Sequence, residues 1–251
     1  MTWMGKVVGG TIGFALGGPL GAVAGAAFGH MFDDGSNQNL LTKNQSVLSP
    51  DERSQMAFFI ASFSMLAKLI KVDGQVTEAE LKSVQGFMAR DLQLNASSQQ
   101  VAEDIFNAAL NTPESFESFA VQFYQHFHAR PQLLELMIDI LLRVSLADGS
   151  INANEEKLIK SAVHIFQFSD AAYHNLKSRY VSDSDRYYTI LGCLKNDSDA
   201  QIKSRYRSLV RDYHPDTIAS KGLPEEFIKF ANDKFQEIHE AYEAVRKERN
   251  M

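Results

Sequence analysis

Hydrophobic and polar positions recur with a helical period over most of the chain, and short polar turns separate the periodic stretches. No stretch shows the two-residue alternation of a half-buried strand. Ser49-Pro50-Asp51-Glu52 has the N-cap, first-turn proline and capping-box glutamate of a helix start. The pattern predicts an all-α bundle within residues 51–181, with helices over 51–72, 77–91, 97–111, 114–128, 131–147, 153–167 and 169–180.

The helical pattern continues after residue 185 and predicts a small helical hairpin over 185–251. A short helix at 187–193 precedes a helix at 199–213, whose apolar stripe is Ile202, Tyr206, Leu209 and Tyr213. His214-Pro215-Asp216 ends that helix, because proline restricts the preceding residue and lacks an N–H donor. A second long helix is predicted over 225–247, with an apolar face formed by Ile228, Ala231, Phe235, Ile238, Tyr242 and Val245.

The N-terminal residues 1–32 follow a different pattern, since Val7 to Gly29 is a run of 23 residues without a formal charge. A helix of that length can cross a hydrocarbon core about 30 Å thick. A stripe of small residues lets membrane helices approach closely, which predicts self-association. The stripe consists of glycines spaced four residues apart: Gly9, Gly13, Gly17, Gly21, Gly25 and Gly29.

Three other interpretations of this segment stay open, and its orientation is weakly specified. A signal peptide would also show a basic start, an apolar run and small residues. A soluble glycine-rich flap is possible, because many glycines weaken helix formation and membrane insertion. Pro19 in the middle of the run could also break it into two shorter arms. Lys6 favours a cytoplasmic N-terminus by the positive-inside rule. Residues 33–50 are polar and predict a linker.

Composition excludes several protein classes. The chain has 251 residues, of which 45% are hydrophobic, so a mostly disordered protein is excluded. A single cysteine excludes an intramolecular disulfide scaffold. The net charge of −6 belongs to residues 1–184, whereas 185–251 is neutral with a basic helix face of Lys203, Arg207 and Arg211. One such face gives little phosphate neutralisation, so nucleic-acid binding is not expected.

A repeated Asp-Gly turn lies in the predicted bundle, at residues 73–80 and 148–155. One hypothesis is a metal site, in which Asp73, Glu80, Asp148 and Glu155 supply oxygen ligands. The alternative is local: the glycines end one helix, and Thr77 with Glu80 and Asn152 with Glu155 cap the next. We favour capping, because it explains every residue of the repeat except the aspartates.

The chain lacks the sequence signals of catalytic chemistry. The N-terminal glycines are not followed by the lysine and hydroxyl residue of a phosphate-binding loop, and no Cys-x-x-Cys pair occurs. His126 and His128 are isolated and are interpreted as a surface or core pair. Cys193 is interpreted as a core residue. We therefore predict no enzymatic activity and no cofactor.

Residues 186–247 resemble a J-domain, the Hsp70-activating module of DnaJ-type co-chaperones. Tyr187-Tyr188-x-x-Leu191-Gly192 opens the match, His214-Pro215-Asp216 is the signature loop, and Lys234-Phe235-x-Glu237-Ile238 lies in the last helix. By position, the resemblance implies Hsp70 contacts from Lys203, Tyr206, Arg207, His214, Pro215 and Asp216. The chain departs from the family at Ser208, Asp212 and Thr217, which stand where the family is often basic.

Residues 52–180 resemble the TerB-like helical domain, and the order of all segments resembles DjlA-type membrane-anchored co-chaperones. The resemblance implies a single-pass anchor in the bacterial inner membrane, cytoplasmic C-terminal domains, a homodimer formed through the anchor, and regulation of DnaK. It also implies an outside N-terminus, against the indication from Lys6. We adopt the orientation that the resemblance implies, because a J-domain needs an ATP-fuelled Hsp70 and such an Hsp70 is found in the cytoplasm. The short connection Val181–Arg186 is expected to hold the two domains close together.

Two functions are therefore carried forward. The first is a non-enzymatic co-chaperone that stimulates the ATPase of an Hsp70. The second is a metal- or stress-sensing membrane adaptor centred on the TerB-like bundle, in which the J-domain is subsidiary.

Overall fold

A computed structural model describes residues 16–33, 48–147, 149–180 and 186–251. These residues form helices and turns and contain no strand, which confirms the all-α prediction. A five-residue π-helical turn, Phe87–Asp91, follows the third helix. The helices are α1 (Gly18–Asp33), α2 (Pro50–Ile70), α3 (Glu78–Gly86), α4 (Ala96–Asn111), α5 (Phe116–Phe127), α6 (Pro131–Ser145), α7 (Ala153–Ile165), α8 (Asp170–Ser178), α9 (Arg186–Ile190), α10 (Asp199–Asp212), α11 (Pro215–Ala219) and α12 (Glu225–Arg249).

The predicted caps are present and place the helix starts. Ser49 and Glu52 form a complete capping box at the start of α2. Thr77 with Glu80 at α3, and Asn152 with Glu155 at α7, form two more. Each box satisfies backbone N–H groups that a first helical turn leaves without partners. The capping interpretation of the repeated Asp-Gly turn is thereby confirmed.

Helix α2 is the centre of the bundle formed by α2–α8. Its residues Met56 to Ala67 are all buried, including Ser62 and Ser64. A helix that is apolar all round needs neighbours on every side. Helices α4 and α5 cover α2 from within the bundle, α1 packs against it from the N-terminal side, and α12 reaches it from the C-terminal hairpin.

Helix α1 lies on the bundle instead of standing apart from it. Leu20, Val23 and Phe28 are buried in the bundle core, so they do not face outward as a lipid-facing arrangement of these residues would require. The amide of Gln122 on α5 holds the start of α1: its Oε1 accepts a hydrogen bond from the Leu20 N–H at 2.9 Å, and its Nε2 donates to the Leu16 and Gly17 carbonyls. No helix in the described ranges combines the length and apolarity needed to span a bilayer.

Replacing Gln122 by alanine is expected to loosen α1. The Leu20 N–H would lose a buried acceptor, at a cost of about 1–3 kcal/mol. Hydrogen exchange of the Leu20 amide should accelerate about tenfold or more. Gln125→Ala, on the exposed side of the same helix, is the matched control and should leave that amide unchanged. Equal exchange rates of the Leu20 amide in the two variants would show that Gln122 does not hold the start of α1.

Helix α12 takes part in two hydrophobic cores. Its first half contributes Phe227, Phe230 and Ala231 to the bundle core, together with Ile218 and Leu223 from the preceding segment. Its second half packs with α9 and α10 in the separate core of the hairpin, through Ile238, Ala241, Tyr242 and Val245. The six residues predicted as the apolar face of this helix all pack in a core, but they divide between the two: Ile228 and Ala231 face the bundle, and the other four face the hairpin core.

Candidate functional site

The His-Pro-Asp loop lies at the surface between α10 and α12. His214 is the N-cap of α11, and its Nδ1 accepts a hydrogen bond from the Asp216 N–H at 3.3 Å. Pro215 stands in the first helical position, where a missing N–H costs nothing. The His214 and Asp216 side chains are 48% and 94% exposed. Both are therefore open to a partner molecule, and the ring of His214 rests edge-on against Phe235.

The basic face of α10 leads up to this loop. Arg207 and Arg211 are exposed and Lys203 is partly exposed. Among the described residues none of the three forms an ion pair, so their charges are available to a partner. Tyr206, on the neighbouring face, stacks on Tyr242 with ring centroids 3.9 Å apart and shares a 2.8 Å hydrogen bond with His239. Burial, followed by the charge of Glu243, raises the pKa of the Tyr206 hydroxyl.

A buried polar network joins the bundle to α12 on the far side of the hairpin. Lys234 Nζ lies 3.1 Å from Asp139 Oδ2 and donates to the Tyr180 hydroxyl at 3.0 Å. The Tyr180 hydroxyl donates in turn to Asp139 Oδ1 at 2.6 Å. Burial alone would lower the pKa of Lys234, but the charge of Asp139, with Tyr180 and Glu237, raises it above its usual value. Lys234 therefore stays charged in the interface.

Comparison with known proteins assigns a family to this arrangement. The model of the co-chaperone DjlA transmembrane domain matches residues 1–39, that of tellurite resistance protein TerB matches 59–178, and that of the DnaJ domain matches 186–250. Several relatives bear the name co-chaperone protein DjlA. Those from Coxiella burnetii and Shewanella oneidensis are 28% identical and match over the full length of both chains, and the Vibrio cholerae relative is 29% identical over 98% of each chain.

The chain belongs to the DjlA family. Its three matched segments occur in the order that the sequence predicts, and the family is one of co-chaperones, not a class of enzymes. No solved structure shows a significant match to the chain.

The Asp-Gly turns of this DjlA-type chain lie next to each other. The Asn154 amide of the second turn donates to Asp73 Oδ1 of the first at 2.6 Å. Glu80 and Glu155 both bond to backbone N–H groups in their capping boxes. Asp148 lies outside the described residues. Within the described part of the chain, no three His, Cys, Asp or Glu side chains are grouped to hold a metal ion.

The glycine stripe is only partly described, because Gly9 and Gly13 lie outside the described residues, as does most of the connection from Val181. Gly21 is buried against the bundle, whereas Gly25 and Gly29 are exposed. An added Cβ at either exposed glycine would meet nothing within 4 Å. The predicted packing role of these glycines between two copies of the chain stays a prediction.

The isolated histidines and the cysteine have local roles. His126 Nδ1 forms a hydrogen bond with the Gln122 carbonyl one helical turn earlier, and His128 Nδ1 forms one with the Gln125 carbonyl. Both histidines are exposed. This agrees with a surface pair. Cys193 is partly buried at the edge of the hairpin core.

Sequence reasoning missed the residues that fasten the hairpin to the bundle. Phe227, Phe230 and Lys234 are buried, yet none of them lies on the predicted apolar face of α12. One signal was available: Phe227-Ile228-x-Phe230-Ala231 is too apolar for a helix that buries a single face.

Proposed function

We propose that this DjlA-type co-chaperone binds an Hsp70 of the DnaK type and stimulates its ATPase. The observation that carries the proposal is the exposed His-Pro-Asp loop at the end of the basic helix face, whose charges have no ion-pair partner in the described part of the chain. Lys203 and Arg207 would steer and dock the J-domain on an acidic surface of the Hsp70. His214, Pro215 and Asp216 would then favour the hydrolysis-competent conformation, through contacts that differ between two states of the Hsp70.

Replacing His214 by glutamine in the full chain tests this proposal. Steady-state ATP hydrolysis by DnaK is measured against increasing concentrations of the chain. We expect the wild type to stimulate hydrolysis and the variant to leave it at the basal rate. Because His214 is about half exposed and caps only the one-turn helix α11, the midpoint of thermal unfolding should fall by no more than about 3 °C.

His174→Gln is the control, since it alters an exposed histidine on α8 of the bundle. It should stimulate hydrolysis as the wild type does. Undiminished stimulation by the His214 variant would refute the proposed mechanism.

We further propose that residues 1–39 attach the chain to the bacterial inner membrane as a single pass, with the C-terminal domains in the cytoplasm and a homodimer formed through the segment. The match to the DjlA transmembrane domain supports attachment. A helix across residues 7–29 would have to take α1 off the bundle, because Leu20, Val23 and Phe28 cannot contact lipid and the bundle core together. Protease protection of intact and opened vesicles tests the orientation.

A further inference from the structure

We propose that the start of α6 is a clamp that positions the His-Pro-Asp loop, with the N-cap residue Arg130 and the first-turn residue Gln132 as its positioning residues. The inference deepens the proposed function and rests on it, because the loop matters only if it contacts an Hsp70. Its physical basis is a set of contacts between the TerB-like bundle and both ends of the loop.

Two hydrogen bonds flank the signature. Gln132 Nε2 donates to Asp212 Oδ1 at 3.2 Å, two residues before His214. Arg130 Nη1 donates to the Lys221 carbonyl at 2.8 Å, five residues after Asp216. The two donors are only two residues apart in the bundle. Both ends of the loop are therefore tied to one short segment, which limits how far the loop can move relative to the bundle.

The backbone at Gly222, directly after the Lys221 carbonyl, packs tightly against the bundle. Gly222 has φ +82°, and a Cβ added to it would lie 3.0 Å from both Arg130 Nη1 and Ser54 Cβ. Leu223 packs in the bundle core, and Pro224 is buried as well. The guanidinium of Arg130 lies 5.9 Å from the ring centroid of Phe127, which is itself fully buried. The donor is thus supported by the core of the bundle.

The clamp also explains two departures from the J-domain pattern. Asp212 accepts from Gln132 through Oδ1 and from the Ser208 hydroxyl through Oδ2, at 3.2 Å in each case. A basic side chain at 212, as the family often has, offers no acceptor to the Gln132 Nε2 group, so this hydrogen bond would be lost. The acid and the serine that stand where the family is often basic therefore form contacts with the bundle and with each other.

The clamp contacts the two ends of the loop and leaves the signature free. His214 and Asp216 stay open to solvent, whereas Leu223 packs in the bundle core. Holding a binding loop in one conformation reduces the ordering cost that its partner must offset on association. The bundle would in this way raise the apparent affinity of the J-domain for an Hsp70 without touching the Hsp70 itself.

Variants of the full chain test the clamp by two measurements. Arg130→Met combined with Gln132→Leu removes both donors. We expect hydrogen exchange of the Ile218, Ser220 and Gly222 amides to accelerate about tenfold, while the amides of α10 keep their rates. The concentration of chain that half-maximally stimulates DnaK should rise several-fold, with the maximal stimulation retained.

Asp212→Asn and Asp212→Leu form a matched pair, since both remove the charge but only asparagine keeps an acceptor for Gln132. The asparagine variant should stimulate DnaK half-maximally at the same chain concentration as the wild type, and the leucine variant should need a higher concentration. Equal behaviour of the pair, or unchanged loop exchange in the double variant, would overturn the clamp. A wild-type chain that does not stimulate DnaK would instead refute the proposed function, and the exchange rates would still decide whether the clamp exists.

Discussion

Truncating Phe227 to alanine is expected to destabilise the full chain by about 3–5 kcal/mol. The ring is fully buried and lies 5.0 Å from the Phe58 ring and 6.0 Å from the Phe59 ring, with edge-to-face geometry at both. Phe63 and Phe87 complete its surroundings. All four neighbours belong to the TerB-like bundle, whereas Phe227 belongs to the J-domain. Its removal would leave a cavity in a core that both domains share.

Equilibrium unfolding in urea, followed by circular dichroism, measures this loss. Tyr187→Ala is the control, because Tyr187 is an exposed ring at the start of the J-domain and should cost less than about 0.5 kcal/mol. Because the two domains share the Phe227 core, the wild type should unfold in a single cooperative transition. A shared core would be contradicted if Phe227→Ala lowered the free energy of unfolding by less than about 1 kcal/mol, or if the wild type unfolded in two separate transitions.

Replacing Lys234 by methionine is expected to lower the free energy of unfolding by about 3–5 kcal/mol. The substitution would leave the Asp139 carboxylate, 4% exposed, without its cation. Asp139→Leu should cost less, because Lys234 would keep Glu237, whose Oε2 lies 3.4 Å from its Nζ. The double variant should recover most of the loss, because apolar side chains replace a buried ion pair at little cost when both partners change together. A double-mutant cycle in urea gives the coupling between the two residues.

The exposed pair of Arg246 and Glu243, with side chains 52% and 47% exposed, is the control for this cycle. Arg246→Met should change the free energy of unfolding by less than about 0.5 kcal/mol. A cycle without measurable coupling between Lys234 and Asp139 would show that the network does not hold the interface.

The pH dependence of this pair has a definite sign. The pKa of Lys234 is raised in the folded chain, so its stabilising contribution is complete below the unfolded pKa of about 10.4 and is lost as pH rises through the folded pKa. Burial, together with Asp139, also raises the pKa of Tyr180, which keeps its hydroxyl proton as a donor. The interdomain network therefore persists through neutral pH.

Local features of the sequence predicted the helices and the signature loop. The boundaries of α2, α3 and α7 follow from capping boxes at Ser49, Thr77 and Asn152, each completed within four residues. The end of α10 follows from the proline at 215. Such signals involve only neighbouring residues, so they can be read without knowing which other segments lie near. The same locality left α11 unpredicted, because one turn of helix after a proline carries no periodic pattern.

The amino-acid pattern is enough to predict the all-α class, the order of the segments and the position of the His-Pro-Asp loop, because these depend on short-range periodicity, capping and the geometry of proline. Which segment covers each apolar face is known only from the packed fold. Hydrophobic burial is not directional, so the pattern of Leu20, Val23 and Phe28 suits contact with lipid as well as contact with the bundle. For the same reason, the position of Phe227 in the sequence does not show which residues it packs against. The contacts of Gln132 with Asp212 and of Lys234 with Asp139 join residues 80 or more positions apart, and only the fold brings them together.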